Sequence, residues 1–173
     1  MAVRTVRQLG DPVLREKCEE VKDASASEIR ALVEDLSDTL AFVALRDNLR
    51  IHQRPRIVAR QAQEDHAPRN ANLRRGDASA IAGGLAPVVV WDACLSFLSI
   101  FMQVERHRDI TVRYQDLQGK THELLAGQLR NLSELLQHEV DHLNGLLFID
   151  HISKLKRDRI IKKFSKAAKR VAE

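Results

Sequence analysis

The sequence predicts an α+β fold, with strands and helices segregated along the chain and each burying one face. Three observations carry that prediction. Apolar residues recur at helical spacing over residues 26–45 and again over 129–143. Between residues 88 and 126 the chain is rich in β-branched and aromatic residues, broken by turn signals. Finally, the second helical stretch carries two histidines four positions apart, which places both on one face.

The first helix, 26–45, is predicted from Ile29, Leu32, Val33, Leu36, Leu40 and Val43, with Ser25 or Ser27 able to cap it. Strands follow over Val88 to Trp91, Phe97 to Val104 and Ile110 to Tyr114, and Gln118-Gly119 supplies the turn into Thr121 to Ala126. The helix Leu129 to Leu143 is expected to start at Asn131 or Ser133 as cap, to bury Leu132, Leu135, Leu136 and Leu143, and to end at Gly145. A basic helix or tail, 154–173, closes the chain, so residues 1–153 are expected to form one domain. Aromatic residues are few, only Trp91 and Tyr114 beside five phenylalanines, and the core is expected to rest on Leu, Val, Ile and Ala.

At 173 residues the chain is long enough for one domain with a substantial core. Two cysteines, Cys18 and Cys94, give no disulfide framework. No apolar run reaches membrane-spanning length and no signal-peptide core is present at the N-terminus, so a cytoplasmic protein is expected, organellar in a eukaryote. Charge is localised. Residues 154–170 net +8 and residues 46–75 net +5, which leaves −9 on the rest of a chain whose total is +4.

The chemistry concentrates in His138-Glu139-Val140-Asp141-His142. Two imidazoles stacked on a helix face can share one metal ion, with Glu139 beside them as a base. A catalytic metal usually takes three protein ligands and keeps a position for water. Cys94, in an apolar extended segment, is the better third candidate. Cys18, among Glu16, Lys17, Glu19 and Glu20, reads as a partly exposed thiol. One sulfur and two nitrogens suit several transition metals.

Gln137-His138-Glu139-Val140-Asp141-His142, with Cys94-Leu95-Ser96 upstream, resembles the peptide deformylase family. Leu9 to Arg15, Ile110 to Lys120 and Gly145 to Ile152 are similar to the segments that flank these motifs in the family. The resemblance implies a fold of antiparallel strands around a central metal-binding helix, with an N-terminal helix and a C-terminal basic helix. It implies that Cys94, His138 and His142 bind a divalent ion, Fe2+ foremost, with Zn2+ or Ni2+ able to take its place. Glu139 is then the general base, the Leu95 N–H helps to hold the oxyanion, and Asp141 has either a role behind the ligands or one on the helix surface. The activity implied is removal of the N-formyl group from formylmethionyl peptides, with Leu95, Ile100 and Leu135 offering an apolar pocket for the methionine. Asp92-Ala93 stands where the family more often has Glu-Gly.

One departure accompanies this resemblance. The family's glycine-rich loop, whose glutamine polarises the formyl carbonyl, is due near residues 45–60, yet no glycine occurs from Asp11 to Arg75. Gln53 and Gln61 are the stand-ins on offer. Residues 46–75 hold eight arginines, no lysine and no aromatic residue, so 46–87 reads either as a divergent or disordered insertion or as the product of a displaced coding frame. This leaves a second reading, a catalytically impaired metal-binding relative that docks on the ribosome or another partner through its basic segments. A third, another class of metallopeptidase, lacks a ligand downstream of the helix. The basic C-terminal segment is expected either to dock on ribosomes or to be an ordinary solvated helix face.

Overall fold

The computed structural model describes residues 3–46, 87–97, 100–126 and 131–172. Residues 47–86, with the expected position of the glycine-rich loop and with Gln53 and Gln61, lie outside the described residues, as do Leu129 and Arg130. The elements are α1 (Ser27–Arg46), β1 (Val88–Ala93), β2 (Phe101–Arg106), β3 (Thr111–Gln115), β4 (Thr121–Leu125), α2 (Leu132–Leu143) and α3 (Lys154–Ala172), with short 3-10 turns at Pro12–Arg15 and Phe148–His151. This is the α+β architecture that the sequence predicts. No helix among the described residues is long and apolar enough to cross a membrane.

The chain divides into two compact units. One takes the described residues of Met1–Thr5, Glu20–Leu73 and Val112–Leu124, the other those of Val6–Glu19, Arg74–Thr111 and Leu125–Glu173. In the first, α1 buries Val33, Asp35, Thr39 and Val43, while Leu32 and Leu36 stay exposed, against the face expected from the leucine spacing. The reason is polar. Arg4 donates through Nε and Nη2 to Asp35 Oδ2 at 2.9 and 2.6 Å, and its backbone N–H donates to Thr39 Oγ1 at 2.8 Å. Ser25 does not cap α1 with its hydroxyl, which it spends on Asp23 Oδ1 at 2.6 Å. The β3–β4 turn is closed by Asp116, whose carboxylate accepts from the N–H groups of Gln118 and Lys120, both at 2.9 Å.

The second unit holds the β1–β2 hairpin, α2 and α3. The hairpin is antiparallel with Val90 opposite Val104 and Asp92 opposite Met102. Strand alternation therefore turns Val90, Asp92, Met102, Val104 and Arg106 to one face and Trp91 and Phe101 to the other, where both are largely exposed. The core gathers Phe97, Val104, Leu147, Phe148 and Ile149. Phe97 and Phe148 meet edge to face at 5.0 Å. Two phenylalanines thus sit at the centre of a core expected to be aliphatic.

In α2 the buried residues are Ser133, His138 and Val140; Leu143 is exposed. Leu132, Leu135 and Leu136 are half-buried, so the expected leucine side is only partly covered, because the helix turns its histidine side inward. Neither expected cap operates. Asn131 occupies the cap position with φ 62° and makes no side-chain bond there, and the Ser133 hydroxyl donates instead to the His107 carbonyl at 2.7 Å. The C-terminus does end as predicted. Gly145 takes φ 69°, its N–H bonds to the His142 carbonyl at 3.0 Å, and Leu146 N–H bonds to the Asp141 carbonyl at 2.8 Å, a Schellman closure. A side chain at Gly145 would strike the Arg15 carbonyl, so glycine is required there for space as well as for φ.

Candidate metal centre

All three expected ligands come together within the second unit. β1 ends at Ala93 and delivers Cys94 into a turn closed by the Phe97 N–H on the Cys94 carbonyl at 3.0 Å. α2 delivers the histidines from one face. Gln137 keeps that helix against the end of β2: its Oε1 accepts from the His107 N–H at 3.0 Å and its Nε2 donates to the His107 carbonyl at 2.8 Å.

Cys94 Sγ lies 3.2 Å from His142 Nε2, and His142 Nε2 lies 3.2 Å from His138 Nε2. One ligand atom from each of the three residues falls within 4.8 Å of the others. With metal–ligand bonds of about 2.0–2.3 Å, tetrahedral neighbours stand about 3.3–3.6 Å apart, so these spacings fit one ion. Three ligands leave a fourth position for water or substrate. Glu139, next along the helix from His138, is exposed, and Leu95 follows Cys94 in the turn with its carbonyl accepting from Gln8 Nε2 at 3.3 Å.

The electrostatics favour a cation between these groups. Burial pushes the Cys94 thiol up, but contacts with His138 and His142 and the Ser96 N–H outweigh it and bring the pKa to about 6. For His138, burial favours the neutral ring, while Asp92, Cys94 and Glu139 outweigh it and raise the pKa to about 10. A proton on His138 supplies positive charge where a divalent ion held by these three residues would supply it, and such an ion would displace that proton. The donor set and the charge balance both fit a divalent ion.

Behind Cys94, His138 and His142 stands a group of residues of which the sequence motif names only Asp141. Arg106 Nη2 donates to Asp92 Oδ2 at 2.8 Å and Arg106 Nη1 to Asp141 Oδ2 at 2.5 Å. Asp92 Oδ1 faces His138 Nδ1 at 2.9 Å, a close pair whose alignment falls short of a hydrogen bond, and His151 Nε2 lies 2.6 Å from Asp141 Oδ2. Burial raises both acids, yet Asp92 is held below the usual carboxylate range by His138 and Arg106, and Asp141 by His151 and Arg106. Asp141, given two alternative roles by its sequence, therefore faces inward. His151, given no role by its sequence, joins it.

The match to known proteins covers both halves of this centre. The model of the family described as polypeptide deformylase matches residues 3–158. The peptide deformylase of Afipia carboxidovorans is 36% identical over 182 residues, covering 100% of both chains, and that of Mesorhizobium japonicum is 36% identical over 177 residues, covering 98% of this chain and 95% of its own. Among solved structures, the peptide deformylase of Ehrlichia chaffeensis in complex with actinonin superposes with a TM-score of 0.64 at 25% identity, covering 96% of this chain and 98% of its own. Another structure of the Ehrlichia chaffeensis protein gives a TM-score of 0.66 at 24% identity, which shows the shared fold. Since the match spans residues 3–158, which take in the N-terminal segment, Cys94 and the histidine helix, the chain belongs to the polypeptide deformylase family.

Proposed function

We propose that this chain is a metal-dependent hydrolase that removes the N-formyl group from formylmethionyl peptides of newly made proteins. The observation that carries this reading is the convergence of Cys94 Sγ, His138 Nε2 and His142 Nε2, with Glu139 adjoining. Fe2+ is the ion we favour, and Zn2+ and Ni2+ suit the same sulfur and nitrogen donors. When bound, the ion supplies Lewis acidity and lowers the pKa of water toward neutrality. Glu139 takes the proton from the attacking water and returns it to the departing amine. The Leu95 N–H donates to the oxygen that becomes negative as the formyl carbon turns tetrahedral. Formate and a free methionyl amine leave. Leu95, Ile100 and Leu135, all half-buried, offer the methionine side chain an apolar wall. The family match over residues 3–158 supports reading 1–153 as one catalytic domain, working in the cytoplasm where such chains are made.

Anaerobically iron-loaded protein is expected to release formate from a formyl-Met peptide in proportion to its iron content. Metal-free protein serves as the blank. Release no greater than the blank would leave a family member without turnover, consistent with the glycine-rich loop that the sequence lacks.

We also propose that α3 docks on ribosomes. Ile160 and Phe164 pack against the core, so the exposed face presents Lys154, Lys156, Arg159, Lys162 and Lys163. Concentrated positive charge of this kind binds a polyanion with steep salt dependence. Reversal of Lys156, Arg159, Lys162 and Lys163 to glutamate is expected to abolish co-sedimentation with ribosomes at low salt. Unchanged sedimentation would reduce the segment to a solvated helix face.

A further inference from the structure

We infer that Arg106 is a positioning residue for the metal centre, strapping the strand that supplies Cys94 to the helix that supplies the histidines. The inference rests on Cys94, His138 and His142 being the ligands. Arg106 ends β2 on the inward face, and its side chain is only 2% exposed. One guanidinium nitrogen holds Asp92, two residues before Cys94; the other holds Asp141, the residue immediately before His142. Asp92 turns its remaining oxygen to His138 Nδ1 at 2.9 Å. A single buried cation is therefore connected, through one carboxylate each, to both ligand-bearing elements.

Two physical arguments favour positioning over stability. First, desolvating a guanidinium and two carboxylates cancels much of their attraction, and apolar residues of similar volume often stabilise an interior as well or better. An arginine buried at such cost is best explained by what it orients. Second, the geometry selects a ring state. Once an ion takes the place of the Nε2 proton, a carboxylate 2.9 Å from Nδ1 favours keeping the remaining ring proton on that side, so that Nε2, on the side of Cys94 and His142, is free to bind the ion. Asp92 does this while its carboxylate is anchored, Oδ1 accepting from the Ala93 N–H and Oδ2 from Arg106, both at 2.8 Å, and Arg106 is the anchor that also reaches the helix. The Asp141 arm fixes the helix turn that carries His142, and His151 closes the same carboxylate from the more exposed side.

The test uses the full chain and Co2+ as probe, with affinity read by competition against a chelator and geometry read from the visible and thiolate-to-cobalt absorption bands. Arg106→Met and Arg106→Lys are expected to weaken Co2+ binding about 10- to 100-fold, the range found when groups that orient metal ligands are removed. The bands should shift, and lysine should retain more affinity than methionine. Loss of the buried cation can prevent folding, so Asp141→Asn, which breaks one arm and keeps the side-chain shape, is measured in parallel and is expected to move affinity and bands the same way. Folded variants with affinity within about twofold of the parent and unchanged bands would overturn the inference, whatever their thermal midpoint, because a purely structural arginine lowers stability and leaves the bound ion alone. Failure of the metal site itself reads differently: the parent would show no thiolate-to-cobalt band and Cys94→Ser would change nothing, and the inference falls with it.

Discussion

Replacing Glu139 by alanine is expected to lower formate release by about 100- to 10,000-fold, the usual contribution of a positioned acid–base group, while the protein still takes up one ion. The two readouts separate because Glu139 adjoins the Cys94, His138 and His142 cluster without being part of it. Its exposed carboxylate adjoins His138 on the same helix, so it can meet water on the open side of the centre and then turn to the leaving nitrogen. Such a loss corresponds to about 2.7–5.4 kcal/mol of transition-state stabilisation. Glu139→Gln sharpens the result. The amide keeps size and hydrogen bonding but cannot carry a proton, so it should fall as far as alanine does. Formate release measured beside metal content decides the matter: activity within about threefold of the parent in either variant would remove Glu139 from its proton-transfer role. Full loss with full metal content would support it.

The two histidines were legible because they are local in sequence. A four-residue spacing on a helix places His138 and His142 together whatever the tertiary fold, and Cys94 stood out by its apolar extended surroundings and by the poor alternative at Cys18. Gly145 was equally legible, since a helix that stops needs a residue tolerant of positive φ. The groups behind the ligands left no such trace. Arg106 meets Asp92 across 14 positions, Asp141 across 35 and His151 across 45, and Arg106 and His151 look like ordinary surface groups when read alone. The same blindness explains the two misjudged helix faces. Leucine spacing marks what a helix can bury, yet α1 buries Asp35 and Thr39 because Arg4 pairs with them, and α2 buries His138 against Asp92 and His142. Core composition misled for a simpler reason. Few aromatics are needed when two of them, Phe97 and Phe148, meet at the centre.

Alkylation of Cys94 in metal-free protein is expected to follow a pH profile with its midpoint near 6, and one bound divalent ion is expected to slow it by about 100-fold or more. The sign follows from the site. The folded thiol is lowered to about 6 because its contacts with His138 and His142 outweigh its burial, so the thiolate dominates above pH 6 and is lost as pH falls through that value. The stabilisation that the thiolate gains from its partners is full above the unfolded thiol's value of 9.0 and is lost progressively as pH falls from there to about 6, and metal affinity should weaken further below that as protons compete for the sulfur. Absolute rate is a poor gauge. A thiolate of low pKa is less nucleophilic, and against an ordinary thiol near pKa 8.5 the gain in ionised fraction at pH 6 shrinks to roughly tenfold after that correction. The midpoint does not suffer from this cancellation. Iodoacetamide labelling across pH 5 to 9, followed by mass spectrometry in a Cys18→Ser background, reads it directly. A midpoint above 8 would mean that His138 and His142 do not hold the thiolate in solution as they do in the structure. Equal labelling with and without ion would mean that the sulfur is not a ligand. A midpoint near 6 together with metal protection would tie the three side chains into one centre by a measurement independent of turnover, so the metal site and the deformylase activity can be judged separately.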